Sequence, residues 1–203
     1  EDAAAWRAGP PPRPWAHRLH RGGGRPAGRF AYVPLHRVSA QLCLAVLVAE
    51  DTGFFWHGTL DYTAIWEALL QWRQGRPLRG ASTISQQLAK NLFFSSERSL
   101  WRKLQEARMA AWLERHLGKR RIFELYVNII ELGPAVFGVQ AAAQTYLQKD
   151  ASQCSAAQAA LLAATIPAPR VANPQHRGAA FEARRAVVVQ RMQRLQALRR
   201  HFE

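Results

Sequence analysis

Acidic residues and cysteines are scarce in this chain of 203 residues. Its 14 Asp and Glu residues oppose 28 Lys and Arg residues, which leaves a formal charge of +14. An excess of this size favours an anionic partner, such as a nucleic acid, an anionic membrane surface or a phosphorylated substrate, without choosing among them. The two cysteines, Cys43 and Cys154, form no CxxC pair, and the histidines show no zinc-ligand spacing. We therefore expect two buried thiols.

Long apolar runs and alternating strand patterns are also missing from the sequence. The longest strongly apolar run covers residues 38–49, which is shorter than the roughly 20 residues that a transmembrane helix needs. Hydrophobic residues nevertheless make up 48% of the chain, a globular composition. Apolar residues recur at helical spacing from Leu35 onward. We therefore predict a single all-α, multi-helix domain over residues 31–203.

The amino-terminal residues have a different composition. Residues 1–30 contain the stretches PPPRPW and GGGRPAG with several arginines and no periodicity, which is typical of a flexible basic arm or linker. Because the chain begins with Glu1 rather than Met, the lack of a signal or anchor segment says little about the protein.

Capping residues indicate several helix boundaries. Asp61 precedes one apolar helical pattern, and Gly75 follows its end. Ser99 precedes a longer pattern that ends near Gly118. Further helices are predicted over residues 82–94, 119–132, 136–147, 156–165 and 181–202.

Two glutamates and one histidine are candidates for chemistry. Glu50 ends the apolar run LCLAVLVAE, where desolvation can raise the pKa of a carboxyl group, as a general acid or base requires. Glu106 lies within one helical turn of Arg102 and Lys103. Taken alone, Glu50 is more simply explained as a capping or ion-pairing residue, Glu106 as part of an ordinary helix ion pair, and His57 as a structural histidine.

The segment GASTISQQLAKN, residues 80–91, combines helical apolar spacing with an unusual number of uncharged polar side chains. Such side chains suit hydroxyl-rich ligands such as sugars, and the nearby cations suit a diphosphate. A solvated helix face would normally be built from Glu, Lys and Arg. The pattern therefore favours a ligand site, and its members are Ser82, Thr83, Gln86, Gln87, Lys90, Asn91 and Arg98.

Five segments, in order, resemble the signatures of the peptidoglycan glycosyltransferases. EDTGFFWHGTLD resembles E-D-x-x-F-x-x-H-x-G-x-D, and RGASTISQQLAKNLF resembles G-[GA]-S-T-[IL]-[ST]-Q-Q-x-x-K-N. The third signature, R-K-x-x-E…L-E…K…I-L-E-x-Y-L-N, is similar to RKLQEARMAAWLERHLGKRRIFELYVN. The fourth signature, G-x-x-x-x-G-x-x-x-A-A-x-x-Y-F-x-K, is similar to NIIELGPAVFGVQAAAQTYLQK. AAQAALLAATIPAP is similar to the segment that closes the domain. The resemblance covers residues 30–174 and points to monofunctional members of glycosyltransferase family 51, which resemble the glycosyltransferase domain of class A penicillin-binding proteins.

The resemblance implies a lysozyme-like fold and an enzyme that polymerises lipid II into glycan strands, with inversion and release of undecaprenyl diphosphate. It implies that Glu50 is the catalytic base and Glu106 the second essential carboxylate. No cofactor is required by the sequence, although a divalent cation, Mg or Mn, is compatible with a site near Glu106. The predicted substrate-binding residues are Asp51, His57, Ser82, Thr83, Gln86, Gln87, Lys90, Asn91, Arg98, Arg102 and Lys103.

The resemblance also implies a location at the bacterial inner membrane, with one amino-terminal anchor helix and the catalytic domain on the periplasmic face. The expected partners are lipid II, the growing glycan strand, a membrane surface with anionic lipids and other cell-wall synthases, and not nucleic acid. An apolar face that dips into the membrane interface is predicted, although each member suits the core equally well. Its members are Phe54, Phe55, Trp56, Trp66 and Trp72.

The sequence departs from the family pattern at three positions. Thr59 stands where a glycine is usual, Gly118 replaces a small hydroxyl residue, and Gln158 replaces a glutamate whose role we expect to be structural. Two other functions stay open at this point. One is a lysozyme-like lytic glycan hydrolase, and the other is a non-enzymatic basic helical protein that binds nucleic acid.

Overall fold

The computed structural model describes residues 3–11, 28–75, 82–94 and 99–203, and this part of the chain is mostly helical. Its α-helices are α1 (Ala40–Glu50), α2 (Tyr62–Arg73), α3 (Ile84–Phe93), α4 (Leu100–His116), α5 (Lys119–Ile129), α6 (Val139–Leu147), α7 (Ala156–Ala163) and α8 (Ala179–Arg194). Its strands are β1 (Arg29–Phe30), β2 (Glu131–Gly133) and β3 (Val136–Phe137). The predicted helical fold class is confirmed, and the small sheet is an addition to it.

Helix α1 forms the centre of the core. Ser39 caps its start by accepting a hydrogen bond from the backbone N–H of Leu42. The side chains of residues 42–48 are at most 1% exposed. A helix that is apolar on every side belongs in the interior, and α1 packs there against α7 and α8. Glu50 is the last residue of α1, so the helix carries a carboxyl group to the edge of the core.

The predicted caps of α2 and α4 are present, and α3 has a cap that was not predicted. Asp61 and Ser99 each accept a hydrogen bond from the backbone three residues later, at the starts of α2 and α4. Thr83 and Gln86 form a reciprocal capping box at the start of α3. Helix α3 packs against α4 and α5, and this packing brings its polar face beside the end of α1.

Helix α6 begins at Val139, so the predicted start at Val136 was wrong. Residues 136–137 instead form β3, which pairs parallel with β1 and antiparallel with β2. Gly138 follows with a φ of +81°, and a Cβ atom there would lie 2.4 Å from the backbone oxygen of Asn128. Only glycine fits this turn. A strand of two residues is too short to show an alternating pattern, which is why the sequence suggested a helix.

Part of the predicted amino-terminal arm packs on the domain. Trp6 is 2% exposed, and its ring centroid lies 5.4 Å from that of Phe93. Arg121 donates hydrogen bonds to the backbone oxygens of Trp6 and Gly9. The other residues of the arm, 1–2 and 12–27, lie outside the described part of the chain.

The last predicted helix is divided into two pieces. Helix α8 is followed by a 3-10 helix over Gln196–His201, so the predicted continuous helix to residue 202 was wrong. Leu198 and Phe202 are buried and fix this last segment to the core.

The two cysteines are free and buried, as predicted. Burial raises the pKa of both thiols, that of Cys154 to about 11. Because the thiolate is the reactive form, both groups are suited to packing rather than to chemistry.

Candidate active site

Glu50 lies where the core meets a cavity of about 380 Å³. Its Oε2 accepts a hydrogen bond from Nε2 of Gln87 at 2.9 Å. Burial raises the pKa of the Glu50 carboxyl group, whereas the hydrogen bond from Gln87 and the positive charge of Lys90 act in the opposite direction. A carboxyl group with a raised pKa beside a cavity is suited to proton transfer.

Asp51, the next residue, connects this site to two neighbouring segments. Its Oδ1 lies 2.6 Å from Nε2 of His57, and its Oδ2 accepts a hydrogen bond from the backbone N–H of Ile84, the first residue of α3. The other ring nitrogen of His57 lies 2.7 Å from the carbonyl oxygen of Gly58. Burial is the largest single effect and lowers the pKa of His57, but the two hydrogen bonds and the negative charge of Asp51 together raise it above its ordinary value. Asp51 and His57 therefore hold the loop after Glu50 against α3.

Within the described ranges, one group of residues could supply three ligands to a metal ion, and it consists of Asp51, His57 and Asp61. One ligand atom from each lies within 4.8 Å of the others. Asp61 Oδ1 caps α2, and its Oδ2 lies 4.0 Å from Nε2 of His57. The 2.6 Å separation between His57 and Asp51 is that of a hydrogen bond, so Asp51 and His57 satisfy each other without a metal ion, and Asp61 lies beside them as the cap of α2.

Glu106 is 1% exposed and faces two cations. Nε of Arg102 lies 2.8 Å from its Oε1, and Nζ of Lys103 lies 3.3 Å from its Oε2. Lys103 also donates a hydrogen bond to Oγ of Ser82 at 3.0 Å, and Ser82 lines the same cavity as Glu50. Lys103 and Ser82 therefore link Glu106 to the wall of the cavity that Glu50 also lines. Both oxygens of Glu106 contact cations, so neither oxygen is free to bind a metal ion in this arrangement. The divalent cation near Glu106 stays a prediction.

The remaining predicted substrate-binding residues fall into three groups. Thr83 and Gln86 are nearly fully buried and hydrogen-bond within the protein as the cap of α3. Lys90 and Asn91 lie, partly buried, near the end of the same helix. Arg98 lies outside the described residues. Contact of any of these side chains with a substrate stays a prediction.

Two residues beside Glu50 were missed by the sequence analysis. Tyr126 of α5 is fully buried, and its hydroxyl donates a hydrogen bond to Oε1 of Gln87 at 3.0 Å. Arg191 of α8 lines the cavity and donates a hydrogen bond to the backbone oxygen of Val48 at 2.9 Å. A tyrosine within an apolar pattern predicts only a core position, and an arginine in a basic helix predicts only a solvated face. The family signature quoted above has a tyrosine at position 126, but it does not say what that tyrosine contacts, and Arg191 lies outside all the quoted signatures.

Glu114 was missed as well, and it explains one departure from the family pattern. Its Oε1 accepts hydrogen bonds from Ser85 at 2.5 Å and from Lys119 at 2.7 Å. Its Oε2 accepts a hydrogen bond from Oγ1 of Thr59 at 3.3 Å. A glycine at position 59 would offer no such donor. Thr59 therefore ties the turn after His57 to α4.

The expectation for Gln158 is confirmed. Its side chain accepts a hydrogen bond from the backbone N–H of Ser155, and the Ser155 hydroxyl accepts one from the Gln158 backbone. This capping box at the start of α7 is a structural role that glutamine fills as well as glutamate.

Comparisons with known proteins show which family this chain is similar to. The family model described as Transglycosylase matches residues 20–193. The chain is 48% identical over 163 residues to the biosynthetic peptidoglycan transglycosylase of Methylobacillus flagellatus, covering 80% of this chain and 71% of that protein. It is 46% identical over 166 residues to the protein of the same name from Laribacter hongkongensis, covering 80% of this chain and 72% of that protein.

Proposed function

Because the chain belongs to the transglycosylase family, glycosyltransferase family 51, we propose that it polymerises lipid II into glycan strands and releases undecaprenyl diphosphate. The observation that carries this proposal is the partly buried carboxyl group of Glu50, which has a raised pKa and faces a cavity also lined by Ser82. Ser82 in turn accepts a hydrogen bond from Lys103. One cavity thus has a proton acceptor and, on its wall, a hydroxyl group bonded to a cation.

The bond changes of this reaction match those two features. The 4-hydroxyl oxygen of one sugar attacks the anomeric carbon of the growing strand, and the bond from that carbon to the diphosphate oxygen breaks with inversion. The hydroxyl proton passes to Glu50, whose Oε2 already accepts the hydrogen bond from Gln87, so Oε1 is the oxygen we assign to the proton. The diphosphate leaves with the electron pair and requires positive charge around it.

Lys103 and Lys90 are the described cations that we assign to the leaving group. Lys103 is half exposed, at 48% of its side chain, and is oriented by Ser82 and Glu106. Glu106 therefore acts by holding Lys103 and Arg102 toward the substrate. No step of this proposal passes through a metal ion.

We also propose that the domain works at a membrane surface. Three aromatic residues of α2 are largely exposed, Tyr62, Trp66 and Trp72, at 75%, 60% and 59%. Trp56, at 59%, is exposed too, whereas Phe54 is fully buried and packs against Phe123, so its predicted membrane contact was wrong. Exposed aromatic side chains with a strongly basic chain suit an anionic lipid interface.

The proposed cellular location and the proposed protein partners do not follow from the contacts described above. None of the helices in the described ranges is both long and apolar enough to cross a membrane. An anchor helix at the inner membrane, a periplasmic location and contacts with other cell-wall synthases follow from the resemblance alone and are part of the proposal.

Incubation of the purified protein with lipid II tests the proposed function. The wild-type protein should convert lipid II into long glycan polymer, and Glu50→Gln should form none. Cleavage of preformed glycan without polymerisation would instead indicate a lytic hydrolase. Salt-sensitive binding of nucleic acid that survives Glu50→Gln, without any reaction of lipid II, would indicate the non-enzymatic alternative.

A further inference from the structure

Gln87, which the sequence analysis assigned to the substrate, has both ends of its amide group occupied by protein partners. We propose that Gln87 and Tyr126 are positioning residues for Glu50, and that the Tyr126 hydroxyl selects the orientation in which the Gln87 amide donates to the base. This inference rests on the proposed function, because it concerns the same carboxyl group.

The three side chains form a continuous chain of hydrogen bonds. Tyr126 donates to Oε1 of Gln87 at 3.0 Å, and Nε2 of Gln87 donates to Oε2 of Glu50 at 2.9 Å. Nε2 also lies 3.5 Å from the backbone oxygen of Ser82. The amide oxygen can only accept and the amide nitrogen can only donate. Each contact therefore fits one of the two orientations of the amide.

Reversal of the amide would be unfavourable at both ends. The oxygen of Gln87 would then face the carboxylate of Glu50, and two acceptors would oppose each other. At the other end, Tyr126 is fully buried, so its hydroxyl proton would lose the acceptor that it has in this structure. A buried donor without an acceptor carries a large desolvation cost. Tyr126 thus keeps the donating end of Gln87 on Glu50 whether or not Glu50 is ionised.

This orientation favours the form of Glu50 that can accept a proton. The N–H group of Gln87 stabilises the carboxylate, and it opposes the effect of burial, which raises the pKa of Glu50. It also fixes Oε2, so that the second oxygen has a defined direction toward the substrate. A residue on α5 that contacts no substrate therefore influences when, and in which direction, the base accepts its proton.

The test compares Tyr126→Phe and Gln87→Met with the double variant. Tyr126→Phe removes only the hydroxyl, and Gln87→Met removes the amide at similar length. We measure kcat and KM for lipid II polymerisation across pH, with the unfolding temperature of each variant. We expect kcat to fall by about tenfold in Tyr126→Phe with KM nearly unchanged, and the acid limb of the kcat profile to move to higher pH. The double variant should resemble Gln87→Met, because Tyr126 acts through that side chain.

Tyr32→Phe is the matched control. It also removes a hydroxyl that donates to a side chain of α5, that of Glu124 at 2.8 Å, but it lies outside the chain that ends at Glu50. It should lower the unfolding temperature without moving the acid limb. If Tyr126→Phe does not fold, Gln87→Met still tests the contact with Glu50, because Gln87 is only partly buried.

Two results would overturn the inference. In the first, the acid limb of the kcat profile lies at the same pH in both single variants as in the wild type. In the second, the fold-loss of kcat in the double variant equals the product of the two single losses, so the two residues act independently. A wild-type protein that forms no polymer at any pH would count against the proposed function instead, so the two failures can be told apart.

Discussion

Nζ of Lys103 lies 3.3 Å from Oε2 of Glu106, and the two residues differ greatly in exposure. The Glu106 side chain is 2% exposed, whereas that of Lys103 is 48% exposed. A buried carboxylate thus holds one end of a cation that remains accessible to ligand. Such a pair is expected where a flexible lysine must be ordered before the substrate arrives.

We predict that Lys103→Met lowers kcat for lipid II polymerisation by about 100-fold, because the departing diphosphate loses a preorganised cation. Lys149→Met is the control, since Lys149 is exposed and lies far along the chain from the site. Polymerisation rates measured with saturating lipid II check this prediction. A Lys103→Met protein as active as the Lys149→Met control would remove Lys103 from the leaving-group site.

We predict that Glu50→Gln stabilises the fold while it abolishes activity. Burial raises the pKa of Glu50 in the folded protein, so ionisation of Glu50 costs stability at neutral pH. The favourable contribution of the protonated group is fully present below the pKa of an unfolded glutamate, and it is lost as pH rises through the folded pKa. Glutamine removes this loss and can keep the contact with Gln87. The gain should be on the order of 1 kcal/mol at neutral pH.

Urea unfolding at several pH values measures this effect. The midpoint of Glu50→Gln should exceed that of the wild type at neutral pH and approach it in acid. Glu182→Gln serves as the control, because Glu182 lies in the first turn of α8 and pairs with Arg185, and its loss should not stabilise the fold. A gain that is independent of pH would show that relief of the buried charge is not the cause.

We predict that Lys90→Met moves the acid limb of the activity profile to higher pH. The positive charge of Lys90 lowers the pKa of Glu50, so its removal makes the carboxyl group harder to ionise. The same variant should also lose kcat on the plateau, if Lys90 contacts the diphosphate. Profiles of kcat against pH separate the two effects. If the acid limb does not move, Lys90 does not influence the pKa of Glu50 and acts only on the leaving group.

The sequence was sufficient to place Glu50 at the end of a buried helix and to predict the neighbouring helices. Glu50 ends an apolar run whose burial depends only on local periodicity, and the predicted caps at Asp61 and Ser99 are local hydrogen bonds. The family signatures supplied the roles of the residues. Features that depend on sequence neighbours within one helical turn could therefore be predicted.

Contacts between distant segments could not be predicted in the same way. Tyr126 is 39 residues from Gln87 in the chain, and their contact exists only because α3 packs against α5. Phe54 and Trp56 are close neighbours in one aromatic stretch, yet Phe54 faces the core and Trp56 the solvent. Which side of a loop is buried depends on the elements packed against it, and composition does not contain that information.

We predict that the double substitution Trp66→Ser and Trp72→Ser weakens binding to vesicles that contain anionic phospholipid, without lowering the unfolding temperature. Both side chains are about 60% exposed on α2, so the fold loses little packing, whereas a membrane interface would lose two anchors. Co-sedimentation with vesicles measures the binding. Trp6→Ser is the contrasting variant, because Trp6 is 2% exposed and its loss should lower the unfolding temperature. Unchanged vesicle binding by the double variant would argue against α2 as the membrane contact.

We predict opposite stability effects at two glycines that precede helices. Gly118 is the N-cap of α5 with no side-chain hydrogen bond, and its backbone has the extended conformation that serine adopts at caps. A Cβ atom there would meet nothing within 4 Å. Gly118→Ser should therefore stabilise the fold by about 0.5–1 kcal/mol, through a new cap and a less flexible unfolded chain.

Gly138→Ala is the contrasting substitution, because Gly138 has a φ of +81° and its Cβ atom would lie 2.4 Å from a backbone oxygen. The added methyl group must displace the main chain of α5 at Asn128, so a loss of more than about 2 kcal/mol is expected. Unfolding midpoints of the two variants, measured beside the wild type, test both predictions. Loss of stability in Gly118→Ser would mean that the start of α5 does not adopt the extended cap conformation. That result would also remove the simplest explanation for a small hydroxyl residue at this position in the family pattern.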